Sequence, residues 1–353
     1  ENEAAGPYYN LRDVDSSLAD LLGVSPRDIR VRDVAVHPTS KEAYIAVGVA
    51  AGDSYESTIA IINQSGDARL MDTDLPTETL DVPSAPAEEF FFYRDIFASR
   101  DLSFTDLEFH DGQLFVAGMS NADFASSMWV APYPFEGAAS TTTLEIYHGV
   151  HAQYETRAPI RAMEIIDIDG EDYMLAAYTC TPLVLFPLEG FEDGEHIVGK
   201  TIGELGYGNT PGDILAFDTE DGEGNPFPVI FIQNKSQSAQ VMAKDAVVAA
   251  AAGEGITTPL GLEPVVLGAA NAPMVGVLQA ADQDPGRILT LRRDPDQGDL
   301  ELVSFLKGVY FRLSDFQSEY EIPGYEYPPE QDSIREFQNF MKLEEGYPEL
   351  IVD

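Results

Sequence analysis

The sequence predicts an all-β fold assembled from repeated units of short antiparallel strands. One strand start, IRVRDVAVHP at residues 29–38, places an arginine and an aspartate before an alternating apolar segment. The arrangement returns along the 353-residue chain in SFTDLEFHD at 103–111, PIRAMEIID at 159–167 and TPGDILAFD at 210–218. Each start is followed by further β-rich runs separated by Gly, Asp, Asn and Pro, which favour turns.

The repeat aligns one position of each unit, and a weaker fifth member occurs in APMVGVLQA at 272–280. The aligned residues are Asp33, Asp106, Ala162 and Asp213. They recur at roughly 50 to 75 residues, the size of a β-rich repeat unit that carries loop insertions. Helical periodicity is confined to SSLADLLGV at 16–24 and DSIREFQNFMKLEE at 332–345, so we expect two helices in the whole chain.

Units of three or four short antiparallel strands with this spacing resemble the blades of β-propeller proteins. The resemblance is to the fold alone, because the chain has no WD, kelch or other family signature. It implies a propeller of six or seven four-stranded blades over residues 28–310. Residues 1–27 are then an N-terminal extension with a short helix, and residues 311–353 a C-terminal extension that packs on the propeller. The alternative, two β-sandwich domains, leaves the recurring strand start unexplained.

Charge and composition limit the classes of partner. With 61 acidic and 20 basic residues, the chain carries a net charge of −41, which repels nucleic acid and anionic membrane surfaces. Such an acidic surface, with six lysines, is typical of salt-adapted proteins; the alternative is that the carboxylates bind Ca²⁺. The single cysteine, Cys180, excludes an internal disulfide framework.

The sequence also bears on location. No apolar run approaches the roughly 20 residues that span a bilayer, so we expect no membrane insertion. The first ten residues, ENEAAGPYYN, have neither a basic n-region nor an apolar h-region, as expected after removal of a leader. We therefore predict a secreted or periplasmic, that is extracytoplasmic, protein.

In propellers the innermost strand of each blade lines a central channel. The resemblance therefore places a set of charged residues near one mouth of that channel, where they face a ligand: Asp33, Asp106, Arg161 and Asp213. The alternative is that these side chains form hydrogen bonds with backbone groups of neighbouring blades.

The most polar connection, IYHGVHAQYETRAPIR at 146–161, supplies further candidates. His148, His151, Tyr154 and Arg157 are predicted to bind a small anionic ligand or a carboxylate of a protein partner. Two imidazoles three residues apart also suit a shared metal ion. Polar residues of the predicted turns are weaker candidates for ligand binding, and the alternative is that they are ordinary hairpin residues: Ser120, Asn121, Thr179, Cys180, Asn234 and Lys235.

Two acidic turns resemble calcium loops, since oxygen side chains alternate around glycine. The predicted ligands are Asp167, Asp169 and Asp172 in the first turn and Asp218, Glu220 and Asp221 in the second. Neither turn has the full EF-hand pattern, and Asp-Gly is also an ordinary hairpin signal. Calcium is therefore the one cofactor that the sequence suggests.

Local enzyme motifs such as GxSxG, HExxH, the P-loop, GxGxxG and CxxCH are missing, which leaves open whether the protein is an enzyme. The favoured hypothesis is a β-propeller binding or scaffold protein, as a subunit of a larger complex. One alternative is a divalent-metal-dependent hydrolase of the lactonase, phosphotriesterase or phytase type, with a cation at Asp33, Asp106 and Asp213. Another is a propeller subunit of a periplasmic redox enzyme.

Overall fold

The computed structural model describes residues 8–52, 54–72, 102–135, 137–155, 157–179, 181–220, 223–261, 263–274, 276–294, 297–315, 328–329 and 332–351. Within these ranges the strands form five sheets that correspond to the blades of a β-propeller. The predicted resemblance is confirmed. Over the same ranges, no helix combines the length and apolar character needed to cross a membrane.

The first blade is a meander of four strands, preceded by a short strand and a helix. The elements are β1 (Asn10–Leu11), α1 (Val14–Leu22), β2 (Ile29–Val36), β3 (Ala43–Ala51), β4 (Ser54–Ile62) and β5 (Ala68–Leu70). Helix α1 ends where Gly23 adopts a left-handed conformation, with a φ of 70°, which glycine tolerates without steric cost.

The second and third blades follow the same plan. The second contains β6 (Asp106–His110), β7 (Gln113–Met119), β8 (Ser126–Pro132), β9 (Ser140–His148) and the short β10 (Gln153–Glu155). The third contains β11 (Ile160–Ile168), β12 (Glu171–Tyr178), β13 (Pro182–Pro187) and β15 (Lys200–Glu204), while β14 (His196–Val198) pairs in parallel with β9.

The fourth and fifth blades complete the described sheets. The fourth contains β16 (Pro211–Glu220), β17 (Pro226–Asn234), β18 (Ala239–Ala243) and β19 (Ala270–Ala272), with helix α2 (Lys244–Ala252) after β18. The fifth contains β20 (Val277–Asp284), β21 (Arg287–Arg293) and β22 (Leu300–Leu306), and helix α3 (Asp332–Glu344) follows. Strand β1 adds to the edge of β22 as the fourth strand of this sheet.

The chain divides into two compact units. The first comprises the described parts of Glu1–Thr73, Phe217–Phe227 and Ala272–Asp353, and the second those of Asp74–Ala216 and Pro228–Asn271. In the second unit, one apolar cluster joins the sheets of β6–β9 and β11–β13, and another joins those of β11–β15 and β16–β18. Middle strands such as β13 are buried on both faces, which explains the unbroken apolar run PLVLF.

In the first unit, Tyr9 links the two ends of the chain. Its backbone N–H donates to Ser304 Oγ over 2.7 Å, and its hydroxyl can donate its one proton to the carbonyl of Lys41 at 2.8 Å or to that of Ile62 at 3.1 Å. The same hydroxyl accepts a hydrogen bond from the Ala43 N–H at 2.9 Å. Burial raises the pKa of Tyr9 to about 12, so the hydroxyl stays protonated and able to donate.

In three of the five sheets the sequence repeat coincides with a β-bulge in the first strand of the blade, whereas β6, which carries Asp106, pairs with β7 without a register shift. The register of β2 against β3 shifts between Val31 and Asp33, and that of β11 against β12 shifts between Ile160 and Ala162. The pairing of β20 with β21 shifts in the same way between Val277 and Gln279. A bulge bends a strand and increases its twist, so the strand start marks a bend in β2, β11 and β20.

Two expectations need correction. The described residues form five blades, not six or seven. Dividing the chain length by a blade size miscounts, because the described part of the connection from α2 to β19 adds only an isolated bridge, between Glu204 and Val265. Helix α2, KDAVVAAAA, was also missed. Its alanines have high helix propensity without an amphipathic period, so periodicity does not reveal it. The sequence also predicts a proline- and acid-containing insertion at 75–101 and a tail rich in tyrosine and proline at 319–330; apart from residues 328 and 329, both lie outside the described residues.

Candidate functional site

The predicted polar connection forms a tight hairpin between β9 and β10. His148 pairs with Gln153, and Ala152 adopts a left-handed conformation with a φ of 57°. Gly149 begins the turn where a β-carbon would lie 2.9 Å from Ile256 Cγ2 and 3.0 Å from Leu260 Cδ1. Only glycine fits this close approach, and the turn brings both histidines to one side of the hairpin.

The two histidines share one carboxylate. The Nδ1 atoms of His148 and His151 lie 2.9 and 2.8 Å from the same Oε1 atom of Glu155. The two imidazole rings stand 3.9 Å apart, centroid to centroid. The hydrogen bond from His148 is the largest cause of the lowered pKa of Glu155, which falls to about 2. The hydrogen bond from His151 also lowers this pKa, whereas burial raises it. Because an ionised carboxylate only accepts hydrogen bonds, both Nδ1 atoms carry protons.

A second carboxylate stands behind His148. Glu204, in the third blade, is fully buried, and its Oε1 atom accepts a hydrogen bond from the Gly149 N–H at 2.7 Å. Its Oε2 atom lies 3.7 Å from His148 Nε2 and has no hydrogen-bond partner in the part of the chain that the structure describes. His148 Nε2 is instead 2.7 Å from Thr181 Oγ1. A buried carboxylate oxygen without a partner is costly, so this site has an unused acceptor.

We refer to His148, His151, Glu155 and Glu204 as the His–Glu cluster. The first three each offer one ligand atom, and these atoms lie within 4.8 Å of one another. No other such group of three occurs in the part of the chain that the structure describes. The cluster runs from the buried His148 to His151, whose side chain is 49% exposed, so one side opens to solvent.

The other predicted residues of this connection lie outside the cluster. Tyr154 is half exposed and packs edge-on against Tyr147, with ring centroids 5.3 Å apart. Arg157 is exposed beyond the end of β10. Arg161 is half-buried at the bulge of β11, where burial lowers its pKa and Asp106 opposes the shift.

In the second unit, two acidic residues link neighbouring inner strands. Asp106 Oδ2 accepts a hydrogen bond from the Met163 N–H at 2.7 Å, which joins β6 to β11. Glu164 Oε2 accepts one from the Ala216 N–H at 3.3 Å, which joins β11 to β16. Asp213 lies half-buried on β16. These bonds satisfy backbone groups between blades, in line with the structural alternative for the repeat position.

Asp33 has an equivalent position in the first unit. Its Oδ1 atom accepts hydrogen bonds from its neighbour Val34, at 2.8 Å, and from Gln279 Nε2 of β20, at 3.2 Å. The charged strand start thus links β2 to β20, just as Asp106 links β6 to β11.

The first acidic turn is a hairpin. Asp167 pairs with Asp172, and between them Asp169 and Gly170 have φ values of 56° and 87°, as in a type I′ turn. Asp172 contacts His110 Nε2 over 2.9 Å. In the second turn, Asp218 and Glu220 are exposed on β16, whereas Asp221 lies outside the described residues. Among the residues that the structure describes, neither turn assembles a group of three possible metal ligands.

The weaker candidates for ligand binding also occupy turns. Asn234 Oδ1 accepts hydrogen bonds from the N–H groups of Thr210, Ser236 and Gln237, between 3.0 and 3.2 Å. Ser120 Oγ accepts one from Ser127 Oγ at 2.9 Å. The remaining members lie at the neighbouring strand ends, in or beside these turns: Asn121, Thr179 and Lys235; Cys180 lies outside the described residues.

Comparison with known proteins identifies no family. No family model matches the chain, and no curated protein matches it. Domains 1–2 of the extracellular region of Drosophila Semaphorin 1b align with a TM-score of 0.40 and 11% identity, covering 84% of this chain and 77% of that one. The native Bacillus subtilis arabinanase Arb43A aligns with a TM-score of 0.32 and 8% identity, covering 78% and 94%. TM-scores this low carry no argument about function.

Proposed function

We propose that this β-propeller is a binding module that holds a divalent transition-metal ion at the His–Glu cluster. The observation that carries the proposal is the convergence of His148, His151 and Glu155, each with a ligand atom within 4.8 Å of the others. The Oε2 atom of Glu204 lies 3.7 Å from His148 Nε2 and has no hydrogen-bond partner among the described residues, and it supports the proposal as a further carboxylate oxygen directly behind the ligands.

The donor set favours zinc over calcium. Imidazole nitrogen and carboxylate oxygen are common zinc ligands, whereas calcium takes oxygen ligands. In a tetrahedral zinc site, bonds of about 2.1 Å put two ligand atoms about 3.4 Å apart, so ligand atoms that lie up to 4.8 Å apart must approach each other by up to about 1.4 Å when the ion binds. Metal binding displaces the Nδ1 proton of each histidine that ligates through that atom, and the ionised Glu155 is already a competent ligand.

The open side of the cluster determines what the ion can do. Because His151 is half exposed and three side chains leave a coordination position vacant, a donor from a partner can complete the site. A carboxylate or an imidazole of a partner protein fits this position. This chemistry agrees with the scaffold hypothesis, whereas an extracytoplasmic location and membership of a complex stay predictions from the sequence.

Metal-dependent hydrolysis is a second candidate for the same cluster. Two histidines and one glutamate with an open position form a ligand set found in zinc hydrolases. The cation ligands that the sequence suggested for a hydrolase have weaker support: Asp33, Asp106 and Asp213. Two of them, Asp33 and Asp106, already accept hydrogen bonds from adjacent strands.

Titration calorimetry with ZnCl₂ on chelator-treated protein tests the proposal. The wild type should bind one equivalent with a dissociation constant of about 1 μM or tighter. His151→Ala should weaken binding by at least about tenfold, a cost of roughly 1.4 kcal/mol. His196→Ala is the matched control, because His196 is also half exposed and contacts a glutamate, Glu145, at 2.9 Å.

The outcomes separate the alternatives. Absence of zinc binding, or an equal loss in the His196→Ala variant, contradicts the metal site. If zinc binds, turnover of nitrophenyl ester or phosphate substrates that disappears in the His151→Ala variant favours the hydrolase, and an inert zinc-loaded protein favours the binding module.

A further inference from the structure

A cleft of about 400 Å³ in the first unit is lined by arginines. Arg27 precedes β2, Arg30 and Arg32 lie on β2, and Arg293 ends β21. The cleft therefore gathers four of the chain's fourteen arginines on a protein with a net charge of −41. The sequence predicted a positive site at Arg157 and Arg161; the cleft assembles four others, three of them in the short stretch PRDIRVRD.

These charges are available to a ligand. In the part of the chain that the structure describes, Arg27, Arg30 and Arg32 form no ion pair with a carboxylate within 4.0 Å. Arg293 donates from Nη1 to the Gly298 carbonyl at 2.8 Å. Asp15 also lines the cleft, but its Oδ1 atom accepts hydrogen bonds from the N–H groups of Ser16 and Leu300, at 3.1 and 3.4 Å.

An aromatic ring holds two of the guanidinium groups in place. The central carbons of the Arg30 and Arg32 guanidiniums lie 4.7 and 5.4 Å from the ring centroid of Tyr55. Gly48 makes room for this stack, since a β-carbon there would lie 3.3 Å from Tyr55 Cβ and 3.6 Å from Arg32 Nε. Stacking uses the face of a guanidinium and leaves its N–H donors, which lie in its plane, for hydrogen bonds.

We propose that this cleft binds a small molecule that carries a phosphate monoester on an apolar body. Several guanidinium groups match the charge and the multiple acceptors of a phosphate dianion. Val31 and Leu278, half-buried in the lining, provide apolar surface beside the charges. The volume lies within the range of small-ligand sites, while the acidic remainder of the chain repels extended polyanions such as nucleic acid.

Calorimetry on the full chain at fixed ionic strength tests this site with phenyl phosphate, inorganic phosphate and benzoate as probes. Phenyl phosphate should bind more tightly than either of the others. The double variant Arg30→Gln/Arg32→Gln should weaken its binding by at least about tenfold, and Arg293→Gln should weaken it by a smaller factor. Arg69→Gln is the control, because Arg69 lies on the same sheet and pairs with Glu42.

The proposal is overturned if phenyl phosphate does not bind at about 10 mM, the weak end of the affinity range. It is also overturned if benzoate binds as tightly as phenyl phosphate, or if Arg69→Gln loses as much affinity as the double variant. Because the arginines of the cleft are exposed, the variants should keep the melting temperature of the wild type, and Arg293→Gln provides a second test on a separate strand.

Discussion

Replacing Glu155 by glutamine should remove a pH-dependent part of the stability of this protein. Hydrogen bonds from two histidines lower the pKa of Glu155 from 4.5 to about 2. A shift of this size corresponds to about 3 kcal/mol of folding free energy, since one pKa unit is worth about 1.4 kcal/mol. Its side chain is 17% exposed, so solvent screens this contribution only in part.

The sign follows from the direction of the shift. A carboxyl group with a lowered pKa in the folded state stabilises the protein above its unfolded pKa, and this contribution disappears as the pH falls. Relative to the Glu155→Gln variant, the wild type should be about 3 kcal/mol more stable at pH 7. Between pH 4.5 and 3.5 this difference should fall by about 1 kcal/mol.

Urea unfolding in the presence of a chelator measures the effect, because a bound metal would add its own stabilisation. Free energies of unfolding are compared for the wild type, Glu155→Gln and the control Glu56→Gln, an exposed glutamate on β4. A difference that stays constant from pH 7 to pH 3.5, or that falls below about 0.5 kcal/mol at pH 7, would refute the role of Glu155 as the shared acceptor.

Four further predictions concern the fold. Burial raises the pKa of Glu108 to about 7. The unfolding free energy of the wild type should therefore fall by up to about 3 kcal/mol relative to Glu108→Gln as the pH rises from 4.5 through 7. Urea titrations in which the two proteins differ equally at pH 5 and pH 8 would contradict this. Gly118→Ala places a β-carbon 1.9 Å from the Ser103 carbonyl oxygen and should cost at least about 3 kcal/mol in chemical unfolding. Gly261→Ala, whose β-carbon meets no atom of the described residues within 4 Å, should cost less than about 1 kcal/mol. Tyr9→Phe removes the hydroxyl that bonds to backbone groups between two strands and should lower the unfolding free energy by about 1 to 3 kcal/mol; an unchanged urea midpoint would argue against that link. With a net charge of −41, the melting temperature should rise with NaCl because screening weakens self-repulsion, and a flat curve between low and molar salt would indicate neutralised or well-separated charges.

Much of the fold was accessible from local sequence patterns. The first three predicted repeats correspond to blades formed by β2–β5, β6–β9 and β11–β15. They could be predicted because apolar alternation and turn residues determine structure through contacts between residues that are close in sequence. Helices α1 and α3 were visible for the same reason. The number of blades could not be predicted, since it depends on how many residues lie in the connections between strands.

Only part of the candidate site could be predicted from the sequence. His148 and His151 stand out because histidines are rare in this chain, five in all, and the hairpin keeps them within one short segment. Glu204 was missed, since it lies 55 residues from its hydrogen-bond partner Gly149 and its own strand, KTIGE, has no distinguishing motif. Arg293 was missed in the same way, because its proximity to Arg30 requires β20 and β21 to lie beside β2.

The amino-acid sequence by itself determined the all-β class, the repeated strand start and the net negative charge, because these depend on composition and on contacts between near neighbours. The tertiary structure alone decided that Asp33 and Asp106 link adjacent strands, that Glu204 stands behind the histidines, and that the arginines of PRDIRVRD meet Arg293 in one cleft. Such contacts depend on strand register and on the packing of one sheet against another. Both are set by the free energy of the whole assembled core, which no short segment of the chain contains.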